Sequence, residues 1–139
     1  MNYSTDNTRI IDKVDLVTPN DVISKYPLTD EISKLVYGTR NEVSQILHGK
    51  DDRLIAVVGP CSIHDPNSAE EYAKLLIDEK KKYEEDILLI MRVYFEKPRT
   101  SIGWKGLIND PDMDNTFDAN KGLFLARSIP VSYTHLRAH

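Results

Sequence analysis

Two apolar, β-rich runs with a helical stretch between them predict an α/β fold with parallel strands. The runs are Leu54 to Val58 and Ile87 to Val93, and the residues between them repeat their apolar positions at helical spacing. Each run also stops at a polar loop rich in chemistry: Gly59-Pro-Cys-Ser-Ile-His-Asp65 after the first, Arg92-Val-Tyr-Phe-Glu-Lys-Pro-Arg-Thr100 at the end of the second. In parallel α/β proteins, sites form at the C-terminal edge of the strands. Both loops are expected at that edge, with a right-handed crossover between the strands.

The elements follow in order. Met1 to about Lys13 is polar and without period, and reads as an arm. Thr18-Pro19 opens a short helix, with Thr18 as cap and Pro19 at the first helical position, where a missing N–H costs nothing. Val22, Ile23 and Tyr26 are expected on its buried face, and Pro27 ends it. A longer helix from Thr29 or Asp30 carries Ile32, Leu35, Val36, Val43, Ile46 and Leu47 at helical spacing, and Gly49 stands where a C-terminal cap would. These helices, residues 1–50 with the arm, read as an accessory layer.

Leu54 to Val58 is apolar throughout, as a strand buried on both faces would be. In the helix that follows, Ser68 and Glu71 have capping-box spacing, while Ala69, Tyr72, Ala73 and Leu76 form one face. Glu70 and Glu71 near its start and Lys80 to Lys82 near its end complement the helix dipole. After the second strand, a further helix is predicted from Phe117 or Asp118 through Arg127, with Leu123, Phe124 and Ala126 for packing. Residues 51–127 thus form one β/α region. Two such units do not close a barrel, which takes about 250 residues. The chain is expected to be the front portion of a larger fold.

Composition narrows the function classes. The 139 residues are 40% apolar and 29% charged, as in a globular domain. No apolar run is long enough to span a bilayer, and the polar start lacks the core of a signal peptide. A single cysteine excludes an intrachain disulfide, which favours a reducing cytoplasm. The net charge is −4, yet Arg92, Lys97, Arg99 and Lys105 crowd together against one nearby acid, Glu96. A cationic pocket in an acidic protein points to a small, multiply charged anion rather than to nucleic acid or membrane. Arginine forks onto phosphate or carboxylate, and lysine supplies a point charge or a proton.

Single residues carry competing readings. Cys61 is a small core residue, a thiolate nucleophile or a soft metal ligand, and His64 is a second ligand, a base, or an imidazole bonded to the loop backbone. Arg92 ends an apolar strand and needs an anion, for which Asp65 is the structural candidate. Thr100 and Ser101 offer hydroxyls to a phosphate, Trp104 packs the loop down, Asn109-Asp-Pro-Asp112 is a turn, and Asp114 has a weak claim to function.

The two loops, taken with Gly103-Trp-Lys-Gly-Leu-Ile-Asn-Asp-Pro111, closely resemble the type I 3-deoxy-D-arabino-heptulosonate-7-phosphate synthases from the arm to about Arg127. The resemblance implies a metal-dependent (β/α)8 barrel preceded by a helical extension. Its reaction condenses phosphoenolpyruvate with erythrose 4-phosphate and releases phosphate, opening the shikimate route to aromatic amino acids. It implies Cys61 as ligand to a divalent ion (manganese, iron, zinc or cobalt), and Arg92 and Lys97 as catalytic residues holding phosphoenolpyruvate. It further implies that Lys97, Pro98, Arg99 and Thr100 hold erythrose 4-phosphate, with Arg99 and Thr100 toward its phosphate. The other metal ligands of the family, a His, a Glu and an Asp, come from later strands that this chain lacks. The arm resembles that of feedback-inhibited members, which implies an aromatic amino acid effector and a homo-oligomer. Residues 128–139 leave the family pattern and are expected to be a foreign tail. Two alternatives stand beside this reading: a small thiol-dependent enzyme using Cys61 with His64, and a non-catalytic phosphometabolite-binding module.

Overall fold

A computed structural model describes residues 5–10, 12–97 and 102–136, with side chains to Tyr133. Pro98, Arg99, Thr100 and Ser101 lie outside the described residues, as do Met1 to Ser4 of the arm and the last three residues of the expected tail. The order is α1 (Pro19–Lys25), α2 (Asp30–Leu47), β1 (Leu54–Val58), α3 (Pro66–Tyr83), β2 (Ile87–Met91) and α4 (Ala119–Leu136). The fold is α/β with a small parallel sheet, as the sequence predicts.

Thr18 caps α1 with a full capping box, its side chain accepting from the Asp21 N–H while the Asp21 carboxylate accepts from the Thr18 N–H. Thr29 caps α2, and Gly49 follows its end with φ 66°. The buried face expected on α1 is not formed, since Ile23 is 51% exposed and no α1 residue is buried. Of the six apolar positions on α2, only Ile32 is buried. These helices touch the rest mainly through α4 and the start of β1. Residues 12–17 run along the surface, tied down where Asn120 accepts from the Val17 N–H and donates to the Asp15 carbonyl.

The strands β1 and β2 pair in parallel, Leu54 against Ile87 through Val58 against Met91. Leu88 is almost fully buried, but Leu54 and Val57 are 71% and 60% exposed, so β1 is not covered on both faces. The reason is geometric. The sheet has two strands among the described residues, α3 packs on β2 and α2 only touches β1, so Leu54 and Val57, which alternate to opposite faces, are left largely open.

The start of α3 also differs from expectation. Asp65, not Ser68, is the cap: its carboxylate accepts from the backbone N–H of Asn67 and Ser68, and from the Ser68 hydroxyl. Pro66 occupies the first turn, which moves the helix start three residues upstream of the capping-box reading. Ala69 and Ala73 are buried and Lys80 to Lys82 lie in the last turn, as predicted.

Helix α4 passes the predicted stop at Arg127 and continues to Leu136 through Pro130. Packing accounts for this, because Ile129 and Tyr133 are buried with Ala69 and Ala73 of α3 and Leu107, overriding the local penalty of proline. Ile63 joins that cluster, and Val93, Phe95 and Trp104 pack against it. The core therefore reaches the C-terminal edge of the strands, beneath the two polar loops.

Candidate functional site

The two loops interlock. The Arg92 N–H donates to the Val58 carbonyl at 2.7 Å, prolonging the ladder by one bond, and Ile63 N–H donates to the Tyr94 carbonyl at 2.8 Å. Gly59 makes this approach possible, because a Cβ there would stand 2.5 Å from the Arg92 carbonyl oxygen. The Arg92 side chain then turns back over the first loop. Its Nη1 donates to the Pro60 and Cys61 carbonyls, both at 2.6 Å, and its guanidinium carbon lies 4.9 Å from the centre of the Tyr94 ring.

Asp65 is not its partner. That carboxylate is committed to the α3 cap, where the Ser68 hydroxyl, then the Asn67 and Ser68 N–H groups and the charge of His64, hold its pKa below the ordinary value. Cys61 is exposed, which sets aside the buried-core reading. His64 is exposed too, and among the described residues no hydrogen bond to the loop backbone holds its imidazole. A cleft of about 350 Å³ opens between this loop and the start of α3, lined by Gly59, Pro60, Ser62, His64, Ser68 and Tyr72. Cys61, Arg92 and Lys97 do not line it.

Lys97 is held from the opposite side. Its N–H donates to the Lys105 carbonyl at 2.9 Å, Glu96 bridges antiparallel to Gly106, and Leu107 N–H donates to the Phe95 carbonyl at 2.7 Å. Gly106 has φ 129°, and a Cβ there would meet the Phe95 carbonyl oxygen at 2.3 Å, so only glycine lets the two segments close. Trp104 packs against the core as expected, and its indole N–H donates to the Asp110 carbonyl at 2.6 Å. The turn predicted at Asn109 to Asp112 is two successive turns, one closed by the Asn109 and Asp110 N–H groups on the Gly106 carbonyl and one by the Met113 N–H on the Asp110 carbonyl. Asp114 is taken up locally by Thr116, whose hydroxyl and N–H hold its pKa down.

No hydrogen bond or ion pair joins Lys97 to Arg92 or Cys61. Among the described residues, Arg92, Lys97 and Lys105 form no salt bridge, and the nearby Glu96 carboxylate accepts instead from the Asn109 amide at 3.4 Å. Two features had no signal in the periodicity. Asp110 is 3% exposed with Oδ1 unpartnered, and Trp104 stands beside Lys97. Among the described residues no three His, Cys, Asp or Glu side chains cluster as metal ligands. Cys61 and His64 alone do not make a metal site.

A family model for the DAHP synthetase I family matches residues 25–134. The chain belongs to that family. The resemblance carried by the two loops is thereby borne out, and the match extends beyond Arg127. A relative from Escherichia coli (strain K12), named phospho-2-dehydro-3-deoxyheptonate aldolase, Phe-sensitive, is 48% identical over 129 residues, covering 93% of this chain and 37% of that protein. A relative from Buchnera aphidicola, named Trp-sensitive, is 47% identical over 132 residues, covering 95% and 38%. The solved structure of phospho-2-dehydro-3-deoxyheptonate aldolase from Francisella tularensis SCHU S4 superposes with a TM-score of 0.87 at 51% identity, over 91% of this chain and 37% of that one. The chain spans little more than a third of the length of these relatives. No helix among the described residues is long and apolar enough to cross a membrane.

Proposed function

We propose that this chain is the front part of a (β/α)8 barrel and that the whole protein condenses phosphoenolpyruvate with erythrose 4-phosphate. The products would be 3-deoxy-D-arabino-heptulosonate 7-phosphate and phosphate, at the entry to aromatic amino acid biosynthesis. One observation carries the reading to these residues. At the C-terminal edge of a parallel sheet, Arg92 is clamped by the Pro60 and Cys61 carbonyls and has no carboxylate partner among the described residues. Two carbonyls fix the fork without neutralising it, which leaves its charge for an anionic substrate.

In this reading Arg92 and Lys97 hold phosphoenolpyruvate, while Lys97, Pro98, Arg99 and Thr100 hold erythrose 4-phosphate. Charge on both sides brings two mutually repelling anions into reach of one another, an effect of orientation that can supply several kcal/mol. A divalent ion of the family would polarise the aldehyde when bound. Cys61 would contribute one thiolate donor to it, and the described donors do not complete the set. The Phe-sensitive and Trp-sensitive names of relatives support an aromatic amino acid effector, with the N-terminal arm part of the regulated homo-oligomer. The lone cysteine supports a cytoplasmic setting.

Steady-state kinetics of the full-length protein test the division of labour. Arg92→Ala is expected to raise the Michaelis constant for phosphoenolpyruvate more than that for erythrose 4-phosphate, and Arg99→Ala the reverse, each by about 1.5–3 kcal/mol of lost charge-assisted bonding. Equal effects on both substrates would overturn the assignment. Cys61→Ala with parental turnover at every metal concentration would remove Cys61 from the ligand set.

A further inference from the structure

Both described cations of the second loop rest on aromatic faces and not on carboxylates. Arg92 lies over Tyr94, and the Lys97 Nζ lies 5.9 Å from the centre of the Trp104 ring. The difference matters at a site for anions. A carboxylate would neutralise the ammonium and compete with the substrate, whereas a ring face attracts it through its quadrupole and leaves the charge in place. A lysine side chain is otherwise a flexible four-carbon stem carrying a hydrated point charge, poorly placed until something restricts it.

Trp104 is itself immobilised. Its indole N–H is bonded to the carbonyl of Asp110, a residue 3% exposed, and its ring packs on the core. The ladder of Phe95, Glu96 and Lys97 with Lys105, Gly106 and Leu107 sets the distance between the lysine and the ring. Leu107, wholly buried, anchors that ladder from below. The neighbouring Lys105 is exposed, so the built environment belongs to Lys97.

We propose that Trp104 is a positioning residue for Lys97, its anchored ring holding the ammonium at the substrate edge without quenching its charge. The proposal rests on the reading of Lys97 as a residue that holds phosphoenolpyruvate.

The test is phosphoenolpyruvate affinity by calorimetry on the full-length protein, with the thermal midpoint of each variant measured alongside. Trp104→Met fills the space without a π face and is expected to weaken binding about tenfold. Trp104→Phe keeps a ring and is expected to stay within about threefold of the parent. In a Lys97→Met background, adding Trp104→Met is expected to change affinity less than about twofold, because the ring then has no ammonium to hold. Equal losses from Trp104→Met in both backgrounds would overturn the proposal, as would a Trp104→Phe protein no better than Trp104→Met. A Trp104→Met protein that does not fold would also count against it, making the residue a core support. If Lys97→Met binds phosphoenolpyruvate as the parent does, the substrate role of Lys97 fails and the proposal falls with it. If Lys97→Met weakens binding but Trp104→Met does not, only the proposal falls.

Discussion

Asp65 illustrates how much one side chain settles at this edge. Its carboxylate accepts three hydrogen bonds at the start of α3, and these, led by the one from the Ser68 hydroxyl, lower its pKa. Because the folded value lies below the unfolded one, the carboxylate stabilises the fold at pH above about 4. That contribution is lost as pH falls through the lowered folded value. Asp65→Asn is therefore expected to flatten the acid side of the stability curve, with the two proteins converging at the lowest pH. Urea unfolding of the full-length protein from pH 7 to pH 2 measures this, and parallel curves across that range would refute the linkage. The same residue frees Arg92: with Asp65 spent on the helix, the guanidinium turns to backbone carbonyls and stays available for a ligand.

Among the elements, the strap formed by residues 95–97 and 105–107 stands between the core and the cationic loop. Gly106 lies within 2.3 Å of the Phe95 oxygen by its absent Cβ and takes a φ of 129°, so an alanine meets both a clash and a strained backbone. Gly106→Ala is expected to lower the stability of the full-length protein by about 2–4 kcal/mol. It is also expected to weaken phosphoenolpyruvate binding further than Ala substitution at exposed Lys105, since opening the strap carries Lys97 away from Trp104. Denaturant titration with substrate calorimetry checks both. An alanine accommodated without loss in either would mean that the strap opens freely in solution. Arg53 does comparable work at the base of the sheet, where it bonds Glu42 of α2, Asp51 and the Glu84 carbonyl and so joins three elements. Solvent still reaches all three side chains, 22% exposed at Arg53, 23% at Asp51 and 41% at Glu42, and screens each ion pair.

For the molecule as a whole, the incomplete cover of β1 is decisive. Leu54 and Val57 on the strand, and Leu75 on α3, are each more than half exposed, and the two-stranded sheet has both outer edges unpaired among the described residues. An open edge beside apolar surface favours association. The 139-residue chain prepared alone is expected to form soluble oligomers or aggregates, to bind a hydrophobic dye, and to lack condensation activity. Light scattering and thermal unfolding decide it: a monodisperse monomer with a cooperative transition would show that the piece is self-contained.

Much of this architecture was determined by the sequence alone, because its signals are local. Thr18-Pro19, Thr29 and Gly49 mark helix ends by hydrogen-bonding and φ requirements that act within a few residues, and the apolar runs at Leu54 and Ile87 declare strands by composition. The loop motifs likewise pointed to Cys61, Arg92 and Lys97 through the residue types that anion and metal chemistry require. Tertiary structure decided what depends on distant partners. It turned Arg92 from Asp65 to the Pro60 and Cys61 carbonyls and carried α4 past Arg127 through Pro130, whereas the move of the α3 cap from Ser68 to Asp65 is itself local, made by bonds within three residues. Each of the two tertiary outcomes is a competition between a local preference and contacts tens of residues away. Spacing along the chain records the preference, but only packing reveals which contact wins. The placing of Trp104 beside Lys97 is of the same kind, set by a turn at Asn109 and a buried Leu107 that bring the two segments side by side.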